Sequence, residues 1–140
     1  MKHTNSTLFS LLLVALVGAC STGYDFRGEN RPSFENTVSA TELSAKQADG
    51  ATVLDVRLIE DFNADPVLVP DAMYRDPDDI QKWAAQMSPE DGPVIVYCVR
   101  GKWVSQKAAN YLKEEGFEVY SLDGGMEGWK SAGQRTVDAQ

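Results

Sequence analysis

One stretch constrains the fold more than any other: the apolar run Val94-Ile95-Val96-Tyr97 leads directly into Cys98, a cationic loop and an amphipathic segment. A short run rich in β-branched residues is typical of a buried strand. The loop carries Arg100, Gly101 and Lys102, and apolar residues at helical spacing follow it. The pattern therefore predicts a strand, a cysteine and a helix start in immediate succession.

This position favours a reactive thiolate at Cys98. A cysteine between a strand and a helix N-terminus faces backbone N–H groups, and Arg100 and Lys102 flank it, so thiolate is favoured over thiol. We expect the loop to form an anion cradle, with Gly101 permitting the tight backbone path. The alternative for Cys98 is a small buried hydrophobe. The two cations bind an anionic substrate or are simply exposed to solvent.

The beginning of the chain predicts an export signal over residues 1–19. Lys2 precedes the apolar run of residues 8–17, which is too short for a comfortable membrane span of about 20 residues. A spanning anchor is therefore the weaker interpretation. Val17-Gly18-Ala19-Cys20 resembles a bacterial lipobox, in which Cys20 becomes the lipidated first residue; the alternative is an ordinary secretory signal. The expected location is a bacterial membrane facing the periplasm, and Ser21 favours the outer membrane.

Composition excludes several kinds of site. The chain has 13 basic and 21 acidic residues, a net charge of −8, so we do not expect nucleic acid as a partner. Its only histidine, His3, falls in the predicted signal, which excludes a Cys–His pair, a Ser-His-Asp triad and imidazole metal sites from the mature domain. If Cys20 is lipidated, Cys98 is the single free thiol, and no structural zinc site can form. No metal and no other cofactor is expected.

The remaining chain divides into three predicted segments. Residues 20–36 are polar, contain Gly and Pro and lack periodicity, which predicts a tether between lipid and domain. Residues 37–133 are the predicted domain, and residues 134–140 are expected to fray. Capping signals and periodicity predict helices over 39–48, 76–87, 105–115 and 126–130, and strands over 52–56, 94–97 and 117–122.

The order of these elements predicts the fold class. Strands that alternate with helices across short connections favour an α/β fold, a central parallel sheet with helices on both faces. Such sheets place their sites at the carboxyl ends of strands, which is where Cys98 falls.

Three separated segments resemble the rhodanese family, and the resemblance spans about residues 38–133. They are Leu54-Asp55-Val56-Arg57, Val96-Tyr97-Cys98-Val99-Arg100-Gly101, and Tyr120-Ser121-Leu122-Asp123-Gly124-Gly125 followed by Trp129. The resemblance implies a rhodanese-like fold and a catalytic Cys98 that accepts a sulfane sulfur as a persulfide. It also implies that Asp55 and Arg57 form a charge network supporting the loop; alone, the pair would be a surface salt bridge of little energy.

Two departures from the family pattern affect the site. The Ala108-Ala109 pair follows the cysteine one residue later than in the commonest rhodanese loops, which predicts a loop longer by one residue. Longer loops resemble those of dual-specificity phosphatases and arsenate reductases, in which five residues separate the cysteine from an arginine. In this sequence Val104 occupies the position of that arginine. The stretch Val69-Pro70-Asp71-Ala72 lacks the family's usual histidine and glycine.

The sequence thus predicts an exported sulfurtransferase that carries sulfur from an anionic donor such as thiosulfate to a thiol or cyanide through a Cys98 persulfide. Trp103 either shields the persulfide from water or packs beside the loop. A second hypothesis is a sulfur-carrier or binding module supplied by a partner protein, and a third is a phosphatase or arsenate reductase. The predicted substrate-binding residues are Val99, Arg100, Gly101, Lys102, Trp103 and Val104.

Overall fold

A five-stranded parallel sheet forms the centre of the computed structural model, which describes residues 24–140. The predicted signal and Cys20 lie outside the described residues. The strands are β1 (Thr37–Val38), β2 (Thr52–Asp55), β3 (Val67–Leu68), β4 (Met73–Tyr74), β5 (Val94–Tyr97), β6 (Val119–Leu122) and β7 (Val137–Asp138). The helices are α1 (Ala40–Ala48), α2 (Ile59–Ala64), α3 (Ile80–Ala84), α4 (Trp103–Glu114) and α5 (Gly125–Ser131), with 3₁₀ turns at Pro77–Asp79 and Pro89–Asp91.

The strand order in the sheet is β1-β6-β5-β2-β4, and every pairing in it is parallel. β3 and β7 pair with each other in a separate antiparallel ribbon. The predicted α/β fold with a central parallel sheet is confirmed.

Alternation of side chains along β5 decides which way Cys98 faces. Val94, Val96 and Cys98 join the core on one side of the sheet, whereas Ile95 and Tyr97 join the core on the other. The first core also contains apolar residues of α3 and α4, and the second contains those of α1 and α5. Cys98 therefore lies on the α4 side, beside the helix that follows its own loop.

Local sequence signals explain where the first helix begins. Ser39 Oγ accepts a hydrogen bond from Glu42 N at 3.2 Å, and Glu42 Oε2 accepts one from Ser39 N at 2.7 Å. This is the capping box that the sequence predicts for α1. The predicted helix near Asp76 is shorter than expected, because Asp76 caps a 3₁₀ turn and α3 itself has only five residues.

Residues 24–36, here called the strap, pack along the domain, so the prediction of a free tether is wrong for this segment. Phe26 is fully buried and Phe34 is 7% exposed, both in the core on the α4 side. Lys107 Nζ in α4 donates to the carbonyl of Asp25, and Asn36 Nδ2 donates to the carbonyl of Val119 at 2.9 Å. Two aromatic residues without helical or strand spacing give no periodic signal, although they bury apolar surface here.

The chain end is also ordered, contrary to the predicted frayed tail over 134–140. β7 pairs antiparallel with β3, and Ala139 N donates to Pro66 O at 2.9 Å. Trp129 is buried in the second core, and its indole N–H donates to Arg135 O at 2.8 Å. A two-residue strand is too short to show alternation in the sequence. Within residues 24–140, no helix has the length and apolar character that crossing a membrane requires.

We expect the strap to contribute to the stability of the domain. Phe26→Ala should lower the free energy of unfolding by about 3–5 kcal/mol, because the substitution removes buried apolar area and leaves a cavity. Urea denaturation followed by tryptophan fluorescence measures this change. Glu29→Ala, at an exposed position of the same strap, is the matched control and should stay within about 0.5 kcal/mol of wild type. Equal stability of the two variants would contradict the packed strap.

Candidate active site

Cys98 lies immediately after β5 and lines a pocket of about 410 Å³. The residue is only 5% exposed, so the thiol is shielded from solvent except through this pocket. The pocket wall combines the loop after β5 with the strap and the first turn of α2, including the residue that precedes it. Its lining residues are Arg31, Leu58, Asp61, Cys98, Val99, Arg100, Lys102, Trp103 and Val104.

The loop around Cys98 presents backbone N–H groups with no protein acceptor. Within the described chain, none of the N–H groups of residues 99–105 donates a hydrogen bond to another protein group. The loop carbonyls, in contrast, are engaged from behind: Met126 N donates to Cys98 O and Glu127 N donates to Val99 O, both at 2.9 Å. The loop therefore keeps its donors for an anion, at the N-terminus of the 12-residue helix α4.

Gly101 allows the loop to lie against the turn between β6 and α5. Its φ of +65° is in the left-handed region, and a Cβ there would lie 2.4 Å from Leu122 O and 2.8 Å from Gly125 N. Gly125 is equally constrained, because its Cβ would lie 2.4 Å from Cys98 O. The loop after β5 and the turn between β6 and α5 thus approach each other more closely than any side chain at these two positions would allow. The predicted role of Gly101 is consistent with this geometry, although Gly101 lies behind the pocket wall instead of lining it.

A chain of buried hydroxyl groups leads to the thiol. Cys98 Sγ lies 3.3 Å from Ser105 Oγ, and Ser121 Oγ in β6 donates to Ser105 Oγ at 3.1 Å. Ser105 Oγ is also 3.3 Å from Lys102 O. Because Ser121 supplies one proton to Ser105, the hydroxyl of Ser105 keeps its own proton for either Lys102 O or Cys98 Sγ. It can therefore donate to a sulfur anion at Cys98.

The cations of the loop occupy exposed positions at the rim. Arg100 Nε pairs with Glu127 Oε2 at 3.3 Å, and both side chains are more than half exposed. Lys102 is exposed and forms no salt bridge within the described chain. Val99 and Trp103 are partly buried, and Val104 is 5% exposed.

Comparison with known proteins agrees with this geometry. The profile of the rhodanese-like domain matches residues 39–132. The chain is 36% identical over 91 residues to the thiosulfate sulfurtransferase GlpE of Pseudomonas savastanoi, an alignment covering 64% of this chain and 82% of that protein. The chain belongs to the rhodanese-like family.

Further relatives support the same assignment. The GlpE thiosulfate sulfurtransferase of Tolumonas auensis is 39% identical over 97 residues, which cover 64% of this chain and 88% of that protein. The crystal structure of a rhodanese homolog from Thermus thermophilus superposes with a TM-score of 0.54 at 33% identity, covering 66% of this chain and 99% of that one. The chain is thus an enzyme of the rhodanese-type sulfurtransferase class.

Asp55 and Arg57 form a buried ion pair in this rhodanese-like domain. Arg57 Nη2 lies 2.6 Å from Asp55 Oδ2, and the two side chains are 2% and 0% exposed. Burial raises the pKa of the Asp55 carboxyl, and the hydrogen bonds from Arg57 oppose that change. The bidentate contact with a permanently charged guanidinium keeps the carboxylate ionised.

The remaining donors of Arg57 define what the pair supports. They reach Asp65 O at 2.9 Å and Val67 O at 2.7 Å, and none reaches residues 98–104. The pair thus fixes the segment that contains Leu58 and Asp61, the pocket wall facing the rhodanese loop. The sequence indicates the pair, but the contacts to this segment depend on the tertiary fold.

Several pocket features have no sequence signal, or only a weak one. Arg31 lies in a segment interpreted as a tether, and Leu58 and Asp61 belong to a short helix region without clear periodicity. Ser105 lies at the start of the predicted helix that follows Cys98. This position is the one sequence signal for a hydrogen bond between the Ser105 hydroxyl and the thiol. Among the described residues, no group of three or more potential ligands is arranged to hold a metal ion.

Replacing Gly101 by alanine should destabilise the domain and disrupt the loop. The expected cost is about 1–3 kcal/mol beyond that of the left-handed backbone alone, because the new Cβ overlaps backbone atoms of another segment. Gly133→Ala is the matched control: its φ of +72° is similar, but nothing lies within 4 Å of the added Cβ. Urea denaturation of both variants measures the difference. Equal losses would show that Gly101 provides only backbone freedom.

Proposed function

We propose that this sulfurtransferase acts through a persulfide on Cys98, taking a sulfane sulfur from an anionic donor such as thiosulfate and passing it to a thiol or cyanide. The observation that carries the proposal is the thiol at the strand end, facing the unengaged N–H groups of residues 99–105 in a pocket rimmed by cations. A nucleophile and an anion cradle on the same loop fit covalent sulfur transfer.

In the first half-reaction, the Cys98 thiolate attacks the outer sulfur of thiosulfate. A new S–S bond forms, the bond between the two donor sulfurs breaks, and its electron pair leaves with sulfite. The products are a Cys98 persulfide anion and sulfite, so the total charge of about −3 is the same before and after transfer. The loop N–H groups and the Ser105 hydroxyl stabilise the negative charge on sulfur before and after transfer.

In the second half-reaction, the acceptor attacks the outer sulfur of the persulfide. Cyanide leaves as thiocyanate, or a thiolate leaves as its own persulfide, and the Cys98 thiolate is restored. No oxidant or reductant is required, and no histidine is available in residues 24–140 to move a proton. Ionised sulfur species and backbone donors therefore account for the full cycle.

Val104 argues against phosphate-ester hydrolysis by the same loop. It occupies the place at which the phosphatase pattern requires an arginine, and it is 5% exposed within the α4-side core. An apolar side chain there offers no bidentate contact to a phosphoryl group. The sulfur-transfer interpretation has no such requirement.

We also propose export and lipid attachment at Cys20, supported by the lipobox-like sequence. Because the strap packs on the domain from Tyr24 onward, few residues separate Cys20 from the folded domain. The chain from Cys20 to Tyr24 spans about 14 Å at most when fully extended. A lipid on Cys20 would hold the rhodanese-like domain next to the membrane surface.

Intact-mass analysis tests the persulfide directly. Incubation with thiosulfate should add one sulfur to the wild-type protein, and cyanide should remove it with release of thiocyanate. Cys98→Ser should lose both the mass gain and the activity, because a hydroxyl cannot form the persulfide. Cys20→Ser is the matched control, since it removes the only other cysteine and should keep full transfer. Activity that survives Cys98→Ser would refute the mechanism.

Fractionation tests the anchor. In a bacterial host, the wild-type protein should remain with membranes after a high-salt wash and be released by detergent, because an acyl anchor is held by hydrophobic burial. Cys20→Ala should be recovered in the soluble fraction. A wild-type protein that is soluble, with no lipid mass on its first residue, would contradict lipid attachment.

A further inference from the structure

The strap contributes an arginine to the wall of the Cys98 pocket. Arg31 lines the pocket together with Cys98, and its guanidinium carbon lies 5.7 Å from the centre of the Trp103 ring. Trp103 is the first residue of α4, so this contact places Arg31 beside the helix N-terminus that faces the thiol. The strap therefore brings a cation to the pocket from outside the segment that resembles the family.

Contacts before Arg31 fix the strap on the domain. Phe26 is fully buried, and Lys107 Nζ lies 5.4 Å and 5.7 Å from the ring centres of Tyr24 and Phe26. Arg27 pairs with Glu60 at 3.0 Å and also with Asp78. These contacts hold the strap against α4 and against the start of α2.

Contacts after Arg31 fix the other side. Phe34 is buried in the α4-side core, and Asn110 Nδ2 donates to Ser33 O at 3.0 Å. Arg31 therefore lies between two anchored points. Because its backbone is already fixed, it loses little conformational entropy when a ligand binds.

Charge in the pocket is positive although the protein is acidic. Arg31, Arg100 and Lys102 line the wall with a single carboxylate, that of Asp61. Arg100 is already paired with Glu127, whereas Arg31 and Lys102 form no salt bridge within the described chain. A guanidinium that lies over an aromatic ring at cation–π distance keeps its N–H edge available for a planar pair of anionic oxygens.

We propose that Arg31 binds the sulfonate end of the sulfur donor and selects dianionic donors over singly charged ones. This inference rests on the proposed function and extends it to the donor class. With the outer sulfur at Cys98, the charged oxygens of thiosulfate remain in the pocket, where Arg31 is the lining guanidinium that no carboxylate pairs within the described chain. The strap is then a fixed part of the donor site.

The test measures the rate of sulfur addition to Cys98, by rapid quench and intact mass, over a range of donor concentrations. Thiosulfate is the dianionic donor and methanethiosulfonate the monoanionic one. Arg31→Ala should lower the efficiency with thiosulfate about fivefold. The loss should come from a higher half-saturating concentration, with the maximal rate unchanged. The loss with methanethiosulfonate should be about twofold or less, because one fewer negative charge is recognised.

Two variants provide controls. Arg31→Lys keeps the charge but not the planar fork, so it should recover part of the thiosulfate efficiency. Arg135→Ala removes an exposed arginine that does not line the pocket and should behave as wild type. The thiosulfate dependence of Arg31→Ala should also become less sensitive to ionic strength than that of wild type.

The outcomes separate this inference from the proposed function. Sulfur uptake by wild type with an unchanged thiosulfate dependence in Arg31→Ala overturns the role of Arg31 alone. Equal losses with both donors overturn selection by charge. Absence of sulfur uptake in wild type overturns the proposed function and this inference with it.

Discussion

The close approach of two backbone segments is the constraint on which the site depends. The loop after β5 lies against the turn between β6 and α5, and only glycine at positions 101 and 125 leaves room for this contact. At that contact, the first N–H groups of α5 bind the carbonyls of Cys98 and Val99. The peptide groups of the loop are thereby held by their oxygen side, which leaves their N–H side without protein acceptors. An anion cradle follows from the backbone path, with the charged side chains arranged around it.

The sheet determines what lies next to the thiol. Because side chains alternate along β5, a shift of one residue would move Cys98 from the α4 side to the side of Tyr97. On the α4 side, the sulfur meets Ser105 of the helix and, through it, Ser121 of the neighbouring strand β6. Both serines are fully buried, so their hydroxyl groups bond to each other and not to water. The ordered hydroxyl chain is therefore a consequence of strand register and helix position together.

A buried ion pair and the packed strap position the residues of the Cys98 pocket that lie outside the loop. The Asp55–Arg57 pair fixes residues 65–67, and the strap fixes Arg31 beside Trp103. The strap and the segment between Arg57 and Asp65 supply the pocket residues that face the rhodanese loop, namely Arg31, Leu58 and Asp61. In a chain with a net charge of −8, a pocket lined by three cations and one carboxylate is a local exception. The positive potential of the pocket favours the binding of small anions there, whereas the acidic surface of the rest of the protein repels them.

Local sequence was enough to predict the α/β class, the capping box of α1, and the succession of strand, cysteine, glycine loop and helix, because each depends on residues close together in the chain. The folded chain was needed to show that residues 24–36 pack as a strap, that Val137–Asp138 pairs with β3, and that Arg31, Leu58 and Asp61 meet Cys98. These features lack periodicity, and their stability comes from apolar area and hydrogen bonds supplied by residues far away in sequence. Periodicity and capping are local properties of a chain, whereas the membership of a pocket is set by contacts between distant segments.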